Sequence, residues 1–277
     1  LMIASIFLIF DKGIKKGIDF TSGTDIVLSY DNLSKNKDGI IDLSIIKENL
    51  IKNGFDIKDI SLQKIEDKNV VSLRLNSYID ESNREIFNNA WSFNNDQNYN
   101  AKQISENIIG PSIGKELTQK AIWSVILVII VIMIFIAFSF REVSKPVSSW
   151  KYGLITIFTL IHDIIIPLGV YALLGVIHGA EIDSLFILAL LTIMAISMAD
   201  TIVVFDRIRE NLQKRKAGEE FEKIVGKSLN QTILRSFNTS LAVLLVLFAL
   251  YFYGPLSIKD FSLTLIIGIT GGFYSSI

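Results

Sequence analysis

The sequence has no cysteine, and it has only two histidines among its 277 residues. Disulfide bonds and thiolate metal sites are therefore excluded, and two separate histidines cannot form a histidine metal cluster. A strong net charge is also absent, because 27 Lys and Arg stand against 28 Asp and Glu. Apolar sequence, in contrast, is abundant, since half of the residues are hydrophobic. This composition does not fit a single soluble domain and predicts a membrane protein.

Apolar segments of about membrane length fill the chain after residue 118. They cover roughly residues 120–140, 152–177, 184–205, 234–254 and 259–277. Residues 1–10 are interpreted as the end of a first spanning helix, and the last segment also looks incomplete. The predicted fold is a polytopic α-helical membrane protein with six spanning helices, of which the first and the last are truncated. Residues 119–277 would hold helices 2–6.

Lys and Arg in the loops indicate the orientation of these helices. The connection after residue 140, with Arg141 and Lys145, and the loop 206–232 are basic, whereas the loop 178–183 has no Lys or Arg. The positive-inside rule makes the basic loops cytoplasmic. Residues 11–118 are therefore expected on the extracytoplasmic side.

Within the basic loop, residues 217–230 place their apolar side chains on one helical face. That face comprises Phe221, Ile224, Val225 and Leu229. The segment is predicted to lie along the membrane surface. A solvated connector with ordinary positive-inside charges is the alternative.

Residues 11–118 contain no apolar run of membrane length and are predicted to form an α+β domain between helices 1 and 2. Strands are predicted at 25–30, 56–66, 69–76 and 98–108, with a turn at Asp67-Lys68. Helices are predicted at 42–54 and 81–93, the second with Asp80 as its N-cap. The order β-α-β-β-α-β is that of a ferredoxin-like split unit. This fold hosts many functions and identifies none of them.

Asp200 stands inside the apolar segment 184–205 and is the strongest candidate for a functional centre. A carboxylate there costs roughly 2.5–3.5 kcal/mol on insertion scales, so it usually faces a bundle interior, a water path or a partner. Arg235 lies at nearly the same depth on the next helix, ~9 Å inside the cytoplasmic edge. Pairing would hold Asp200 ionised, whereas loss of Arg235 or drying of the site would favour proton uptake. The pair is predicted to be a proton switch, with a static ion pair that fixes helix packing as the alternative.

His162 and Asp163 stand near the middle of the second long apolar segment. Pro167 removes the backbone donor that would bond the Asp163 carbonyl, so a kink with a freed carbonyl is expected. A proton relay and a local hydrogen-bonded pair are both open interpretations of His162 and Asp163. Thr201 and Gln231 are further candidates for relay or gating, although helix packing alone would also explain them.

Five short motifs together resemble the SecD/SecF family of protein-export membrane proteins, and its SecF branch most closely. They are residues 17–24 (GIDFTSGT), 110–117 (GPSIGKEL), 162–163 (HD), 200–211 (DTIVVFDRIREN) and 228–232 (SLNQT). The resemblance covers essentially the whole chain. Its most distinctive part is the motif at the cytoplasmic end of a helix, which contains Asp206, Arg207, Arg209, Glu210 and Asn211.

This resemblance implies a membrane subunit, not an enzyme, that has no cofactor and lies in the bacterial cytoplasmic (inner) membrane. It would be one half of a SecD/SecF complex with RND-superfamily-like architecture. That complex would use the proton motive force, or a Na⁺ gradient in its place, to promote late steps of protein export. The implied partners are SecD, the SecYEG channel with SecA, YajC and YidC, an unfolded preprotein on the outer side and the lipid bilayer, but no nucleic acid. Asp200 and Arg235 match the family's intramembrane Asp and Arg, which are associated with proton transport.

Two positions depart from the pattern of the family. Ala199 stands where the family usually has Asn before the Asp, and Ser22-Gly23 stands where it usually has Gly-Gly. The first change removes a possible hydrogen-bond partner and bears on the route of the proton. The second is a smaller change in a loop.

Three other functions compete with this interpretation. An RND-type proton-coupled exporter of small molecules or lipids would need a large outer domain with pockets, and residues 11–118 are few for that. An intramembrane aspartyl dyad of Asp163 and Asp200 lacks a protease motif, and Arg235 would oppose the shared proton that a dyad requires. A passive scaffold for the translocase would leave the cost of burying Asp200 unexplained.

Overall fold

The computed structural model describes residues 1–30, 43–56, 59–64, 70–93, 101–140, 149–177, 179–215, 219–255 and 258–277. In chain order the elements are α1 (Met2–Lys12), α2 (Ile18–Thr21), β1 (Gly23–Tyr30), α3 (Leu43–Lys52), β2 (Ile60–Lys64), β3 (Val70–Leu75), α4 (Glu81–Ser92), β4 (Ala101–Ile109), α5 (Pro111–Ser139), α6 (Ser149–Ile177), α7 (Ser184–Gln213), α8 (Phe221–Tyr253) and α9 (Lys259–Ser275). They form two compact units, Lys16–Lys120 and the remainder, Leu1–Lys15 with Ala121–Ile277. The first unit contains the sheet, and the second contains the long apolar helices.

The four strands form one antiparallel sheet in the order β2-β3-β1-β4. Burial alternates along β1, so every second side chain faces a core that α3 and α4 cover. The core residues include Ile26, Leu28, Tyr30, Ile46, Leu50, Val71, Leu73, Leu75, Phe87, Ala90 and Trp91. The Tyr30 hydroxyl donates a hydrogen bond to the Trp91 carbonyl oxygen at 2.9 Å, which satisfies this buried polar group. Burial raises the pKa of Tyr30 above its ordinary value.

β1 begins at Gly23, two residues earlier than predicted, and the helices of this unit begin close to the predicted positions. β2 and β3 lie inside the predicted ranges 56–66 and 69–76, while the predicted turn at Asp67-Lys68 lies outside the described residues. Asp80 is the N-cap of α4, as predicted, because its side chain accepts a hydrogen bond from the Asn83 N–H at 3.0 Å. The Ser82 hydroxyl and this N–H hold the pKa of Asp80 below its ordinary value.

A turn between α2 and β1 requires glycine at its second position. Gly23 has φ +155°, and a Cβ there would stand 2.4 Å from the Leu75 carbonyl oxygen and 2.8 Å from Ile18 Cγ2. The first position is Ser22, which has φ 72° and ψ 154°. That region is essentially restricted to glycine, and other residues in it are strained. The turn therefore explains why the motif contains glycine at this point.

The same turn packs against the start of α5, so the motifs at 17–24 and 110–117 meet. A Cβ at Gly114 would lie only 3.1 Å from the Ser22 backbone nitrogen. One turn later, the Thr118 hydroxyl donates to the Phe20 carbonyl oxygen at 3.3 Å. Two glycine-containing motifs that are far apart in the chain thus form one contact.

Among the described residues, four helices are long and apolar enough to cross a membrane, namely α5, α6, α7 and α8. α5 begins at Pro111 and α7 continues to Gln213, so both are longer than the segments 120–140 and 184–205 from which they were predicted. α6 remains helical through Pro167 as far as Ile177. The basic connection with Arg141 and Lys145 lies outside the described residues.

Small residues let the helices of the second unit approach closely. A Cβ at Gly169 of α6 would lie 2.2 Å from Ser5 Cβ of α1, and one at Gly268 of α9 would lie 2.1 Å from Ile193 Cδ1 of α7. Close approach at small residues is the usual way in which helices pack in membranes. α7 has the most buried positions of these helices and packs against α6, α8 and α9. α5 is mostly exposed.

The prediction of a separate surface helix at 217–230 is wrong. From Phe221 onward this segment is the beginning of α8, which continues without interruption to Tyr253, while residues 217 and 218 lie outside the described residues. Its predicted apolar face packs against the end of α7, in a cluster with Phe205, Ile208 and Leu212. The apolar pattern was correct, but its partner is another helix, not the membrane surface.

We expect Ser22→Gly to stabilise the protein by about 1 kcal/mol, because glycine relieves a backbone strain of order 1–3 kcal/mol at some cost in chain entropy. Gly23→Ala should destabilise it by more than about 1 kcal/mol, because the new Cβ meets the Leu75 carbonyl. Thermal unfolding of the full chain in detergent measures both effects. Gly54→Ala is the control, since Gly54 has φ +95° but an open surrounding. A Gly23→Ala variant no less stable than Gly54→Ala would contradict the predicted clash.

Candidate functional site

Asp200 lies in the middle of α7 and is half-buried. Three side chains of α8 interact electrostatically with its carboxylate. They are the hydroxyls of Ser236 and Ser240 and the guanidinium of Arg235. Neither hydroxyl is in hydrogen-bonding geometry with the carboxylate. Among the described residues no ion pair joins Asp200 to Arg235, whose side chain is exposed. Arg235 is thus a neighbouring charge in this arrangement, and its pairing with Asp200 stays a prediction.

A stripe of hydroxyl side chains runs along the buried face of α8. It consists of Ser228, Thr232, Ser236 and Ser240, which recur every four residues. The Ser228 and Thr232 hydroxyls donate to the backbone carbonyl oxygens four residues earlier, at 2.7 and 3.1 Å. Ser236 and Ser240 make no such bond, and their buried hydroxyls have no partner among the described residues. The two unpaired hydroxyls are the ones that neighbour Asp200.

Asp163 is a buried acid of the second unit with hydrogen-bond partners on α6, α7 and α9. Its side chain is fully buried and accepts hydrogen bonds from Ser197 Oγ at 2.5 Å and from Ser275 Oγ at 2.6 Å. His162 Nδ1 lies 3.0 Å from the same carboxylate. Gly272 makes room for this arrangement, because a Cβ there would stand 3.3 Å from Ser197 Cβ. One carboxylate thereby joins α6, α7 and α9.

His162 also borders a groove of about 750 Å³. The groove is lined mainly by apolar residues, among them Met2, Ile155, Phe158, Ile233, Phe273 and Ile277. The imidazole is one fifth exposed, so it is the part of the His162–Asp163 pair that is accessible from this groove. The structure contains the local hydrogen-bonded pair, and the alternative role as a proton relay stays a prediction.

Thr201 and Gln231, the other candidates for relay or gating, line two different cavities of the helix bundle. The Thr201 hydroxyl is buried without a partner among the described residues, and Thr201 lines a cavity of about 300 Å³ together with Thr159 and Ser275. Gln231 belongs to the end of the bundle, where its Oε1 accepts from Arg207 Nε at 2.8 Å. These two residues therefore serve different parts of the helix bundle.

The motif 206–211 ties the end of α7 to the beginning of α8. Asn211 Nδ2 donates to Ser228 Oγ at 2.8 Å and to Gln231 Oε1 at 2.9 Å. Ion pairs along α7 order the remaining charges, and they are Arg207–Glu210, Arg209–Asp206 and Lys214–Glu210. Exposed ion pairs contribute little to stability, so the bonds between the helices are the more important ones. A polar cavity of about 310 Å³ lies here, and Arg207, Gln231 and Arg235 are part of its lining.

Three residues of this region were not among the candidates from the sequence, namely Ser236, Ser240 and Ser275. The four-residue spacing of Ser228, Thr232, Ser236 and Ser240 was a usable signal for one polar helix face. Ser275 had no such signal, because its bond to Asp163 joins residues that are far apart in the chain. Ala199, at the position where the sequence departs from the family pattern, has an exposed side chain.

Comparison with known proteins finds relatives over the whole chain. The family model described as protein export membrane protein SecD/SecF, C-terminal, matches residues 90–277, and the SecD/SecF GG motif matches residues 7–32. Proteins named protein translocase subunit SecF are similar in Synechocystis sp. (33% identical, covering 100% of this chain and 86% of the relative) and in Haemophilus influenzae (34%, 100% and 78%). The SecF subunit of Thermobaculum terrenum is 48% identical over 64% of this chain and 55% of the relative.

A solved structure shares the fold. The crystal structure of SecDF from Thermus, described as a translocon-associated membrane protein, matches with a TM-score of 0.80 and 32% identity over 100% of this chain. A second crystal structure, of SecDF in a super-membrane-facing form, matches with a TM-score of 0.62 and 30% identity over 99% of this chain. The chain spans 35% of each SecDF chain and about half of the Thermobaculum relative.

We expect Asp163→Leu to destabilise the helix bundle, because it leaves the buried Ser197 hydroxyl without its acceptor and removes the bond by which Ser275 joins α9 to α6. Leaving a buried polar group without its partner costs about 1–3 kcal/mol, so the thermal transition should fall clearly. Asp163→Asn keeps an acceptor oxygen and should lose less. Thermal unfolding in detergent measures the difference. Equal transition temperatures for Asp163→Leu and the unchanged protein would rule out this joining role.

Proposed function

The chain belongs to the SecD/SecF family of protein export membrane proteins, and from this membership we propose that it acts as the SecF half of a proton-driven accessory complex for protein export. SecF proteins are translocase subunits and not an enzyme family. The observation that carries the proposal is the Asp200 carboxylate in a spanning helix beside polar groups of α8. A carboxylate in a spanning helix is energetically unfavourable, and such residues are usually functional.

Asp200 is the proposed site of proton uptake and release. Binding a proton removes the charge of the carboxylate, so the contact between α7 and α8 must accommodate two different groups in turn. The exposed guanidinium of Arg235 supplies positive charge near the ionised form. The polar cavity at the end of the helices includes Arg235 and lies on the side that the loop charges assign to the cytoplasm. These features support a coupling of proton passage to the packing of α8 on α7.

The proposed architecture has six spanning helices and an outer ferredoxin-like domain at residues 11–118. Support for the six spans comes from α1 and α9, which are apolar and pack against α6 and α7 at Gly169 and Gly268. The strand order β2-β3-β1-β4 supports the ferredoxin-like assignment. The proposed location is the bacterial inner membrane, with the domain on the outer side.

SecD is the proposed partner, since the solved SecDF chain is about three times as long as the part that this chain matches. In the proposed assembly, the complex acts with the SecYEG channel, SecA, YajC and YidC, and its outer domain receives the preprotein. The proton motive force would drive late export steps, with Na⁺ as the alternative coupling ion. A small-molecule exporter is the second candidate, but no observation of the described residues favours it. Asp163 and Asp200 have separate polar neighbours, which gives no support to an aspartyl dyad.

We expect Asp200→Asn to abolish proton-coupled stimulation of export, because the amide cannot bind and release a proton. Proton flux and preprotein translocation are measured together in vesicles that contain the chain, SecD and the SecYEG channel with SecA. Glu222→Gln, which removes one negative charge from an exposed position of α8, is the control and should leave both rates unchanged. Copurification with SecD checks assembly. Full proton flux and full stimulation in an assembled Asp200→Asn complex would refute the proposal.

Arg235→Met should reduce proton flux more than Arg235→Lys, because only lysine keeps a positive charge near Asp200. The same vesicles and the same flux measurement apply. Equal flux in the two variants would show that the charge of Arg235 does not act on the proton site.

A further inference from the structure

Two buried serines of α8 have hydroxyls that form no hydrogen bond with any described residue. The oxygen atoms of Ser236 and Ser240 are enclosed by protein atoms and have no hydrogen-bond partner among the described residues. Serine in a helix ordinarily bonds to the carbonyl oxygen four residues earlier. Ser228 and Ser262 do so here, at 2.7 and 2.8 Å. An unused buried hydroxyl is costly, so the free hydroxyls of Ser236 and Ser240 call for a specific acceptor.

The Asp200 carboxylate is the acceptor that the geometry offers. Ser236 and Ser240 are the hydroxyl groups of α8 that act on this carboxylate, and the two helices pack against each other. A change in side-chain torsion is the movement that would bring each hydroxyl into hydrogen-bonding geometry. A bond to a carboxylate is stronger than one to a backbone carbonyl, so an ionised Asp200 outcompetes the local alternative. Ser236 and Ser240 are one turn apart, and a carboxylate has two oxygens that accept independently.

Other partners fit less well. The two oxygen atoms have essentially no surface that a water molecule could contact, which argues against a bridging water. A bound cation would be coordinated by the hydroxyl oxygens, which are enclosed by protein atoms, and it would leave the hydroxyl hydrogens without an acceptor. Arg235, the charged group of α8 that bears on Asp200, is exposed and forms no ion pair with it among the described residues.

We infer that Ser236 and Ser240 are positioning residues that donate directly to the ionised Asp200 carboxylate and release it when it takes up a proton. This inference rests on the proposed function of Asp200 for its purpose. The two neutral hydroxyls of α8 would then contact the carboxylate directly, and the charge of Arg235 would act on it from a greater distance. The step is a proton binding to one carboxylate oxygen, and no other bond is formed or broken.

Infrared spectroscopy of the complex with SecD in lipid tests the contact without requiring transport. The C=O band of the protonated Asp200 carboxyl is assigned by its loss in Asp200→Asn, and its midpoint pH is then followed. Ser236→Ala and Ser240→Ala should each move the midpoint upward by about one pH unit, tenfold in proton affinity, because each removes a donor to the ionised form. Ser236→Thr and Ser240→Thr keep the hydroxyl and should restore the original midpoint.

Ser262→Ala is the matched control, because Ser262 is fully buried on α9 and bonds only to its own helix. Its midpoint should equal that of the unchanged protein. An unchanged midpoint in Ser236→Ala, Ser240→Ala and the double variant would overturn the inference. A loss of the shift in the Thr variants supports it, since a merely structural role would not depend on the hydroxyl. If Asp200→Asn keeps full export stimulation, the proposed function fails, while this titration still decides whether the serines bind the carboxylate.

Discussion

A carboxylate inside an apolar helix bundle must receive hydrogen bonds or give up its charge, and the helix bundle of this chain depends on how it meets that constraint. Asp163 is fully buried and accepts from two serines on two other helices, with His162 beside it. Asp200 is half-buried and lies next to two hydroxyls that do not yet bond to it. The first acid is a fixed joint between helices. The second acid, Asp200, has nearby donors but no completed hydrogen bonds, so binding a proton could change its contacts with α8.

Small residues make both arrangements possible. Gly272 leaves the space in which Asp163 and Ser197 meet, and Gly268 receives the side chain of Ile193 one turn earlier on α9. Serine and threonine then supply the polar groups without adding bulk. This combination follows from the absence of a hydrophobic driving force between helices in lipid, where close packing and hydrogen bonds hold the helices together. The large aromatic residues lie elsewhere, for example where Phe140, Tyr152 and Phe205 pack at the end of α7.

The sequence predicted the elements better than it predicted the contacts. Periodicity located the long helices and the strands, and a capping residue located α4, because these signals are local. The bond from Ser275 to Asp163 was not readable, because it depends on how α9 packs against α6. The prediction of a surface helix at 217–230 was wrong for the same reason, because an apolar helix face can pack equally well against lipid or against another helix.

The hydrogen bonds of α7 to its neighbouring helices lie on either side of Asp200, and this matters for how proton binding could change the helix packing. Ser197 fixes α7 to α6 and α9 just before Asp200, and Asn211 fixes its far end to α8 through Ser228. Between these two points, at Asp200, the contact with α8 has donors but no completed hydrogen bonds. A change of charge at Asp200 would therefore act first on α8, because α8 supplies the polar neighbours of this carboxylate. If Asp200 is the proton site, the packing of α8 on α7 is where proton binding becomes a structural change.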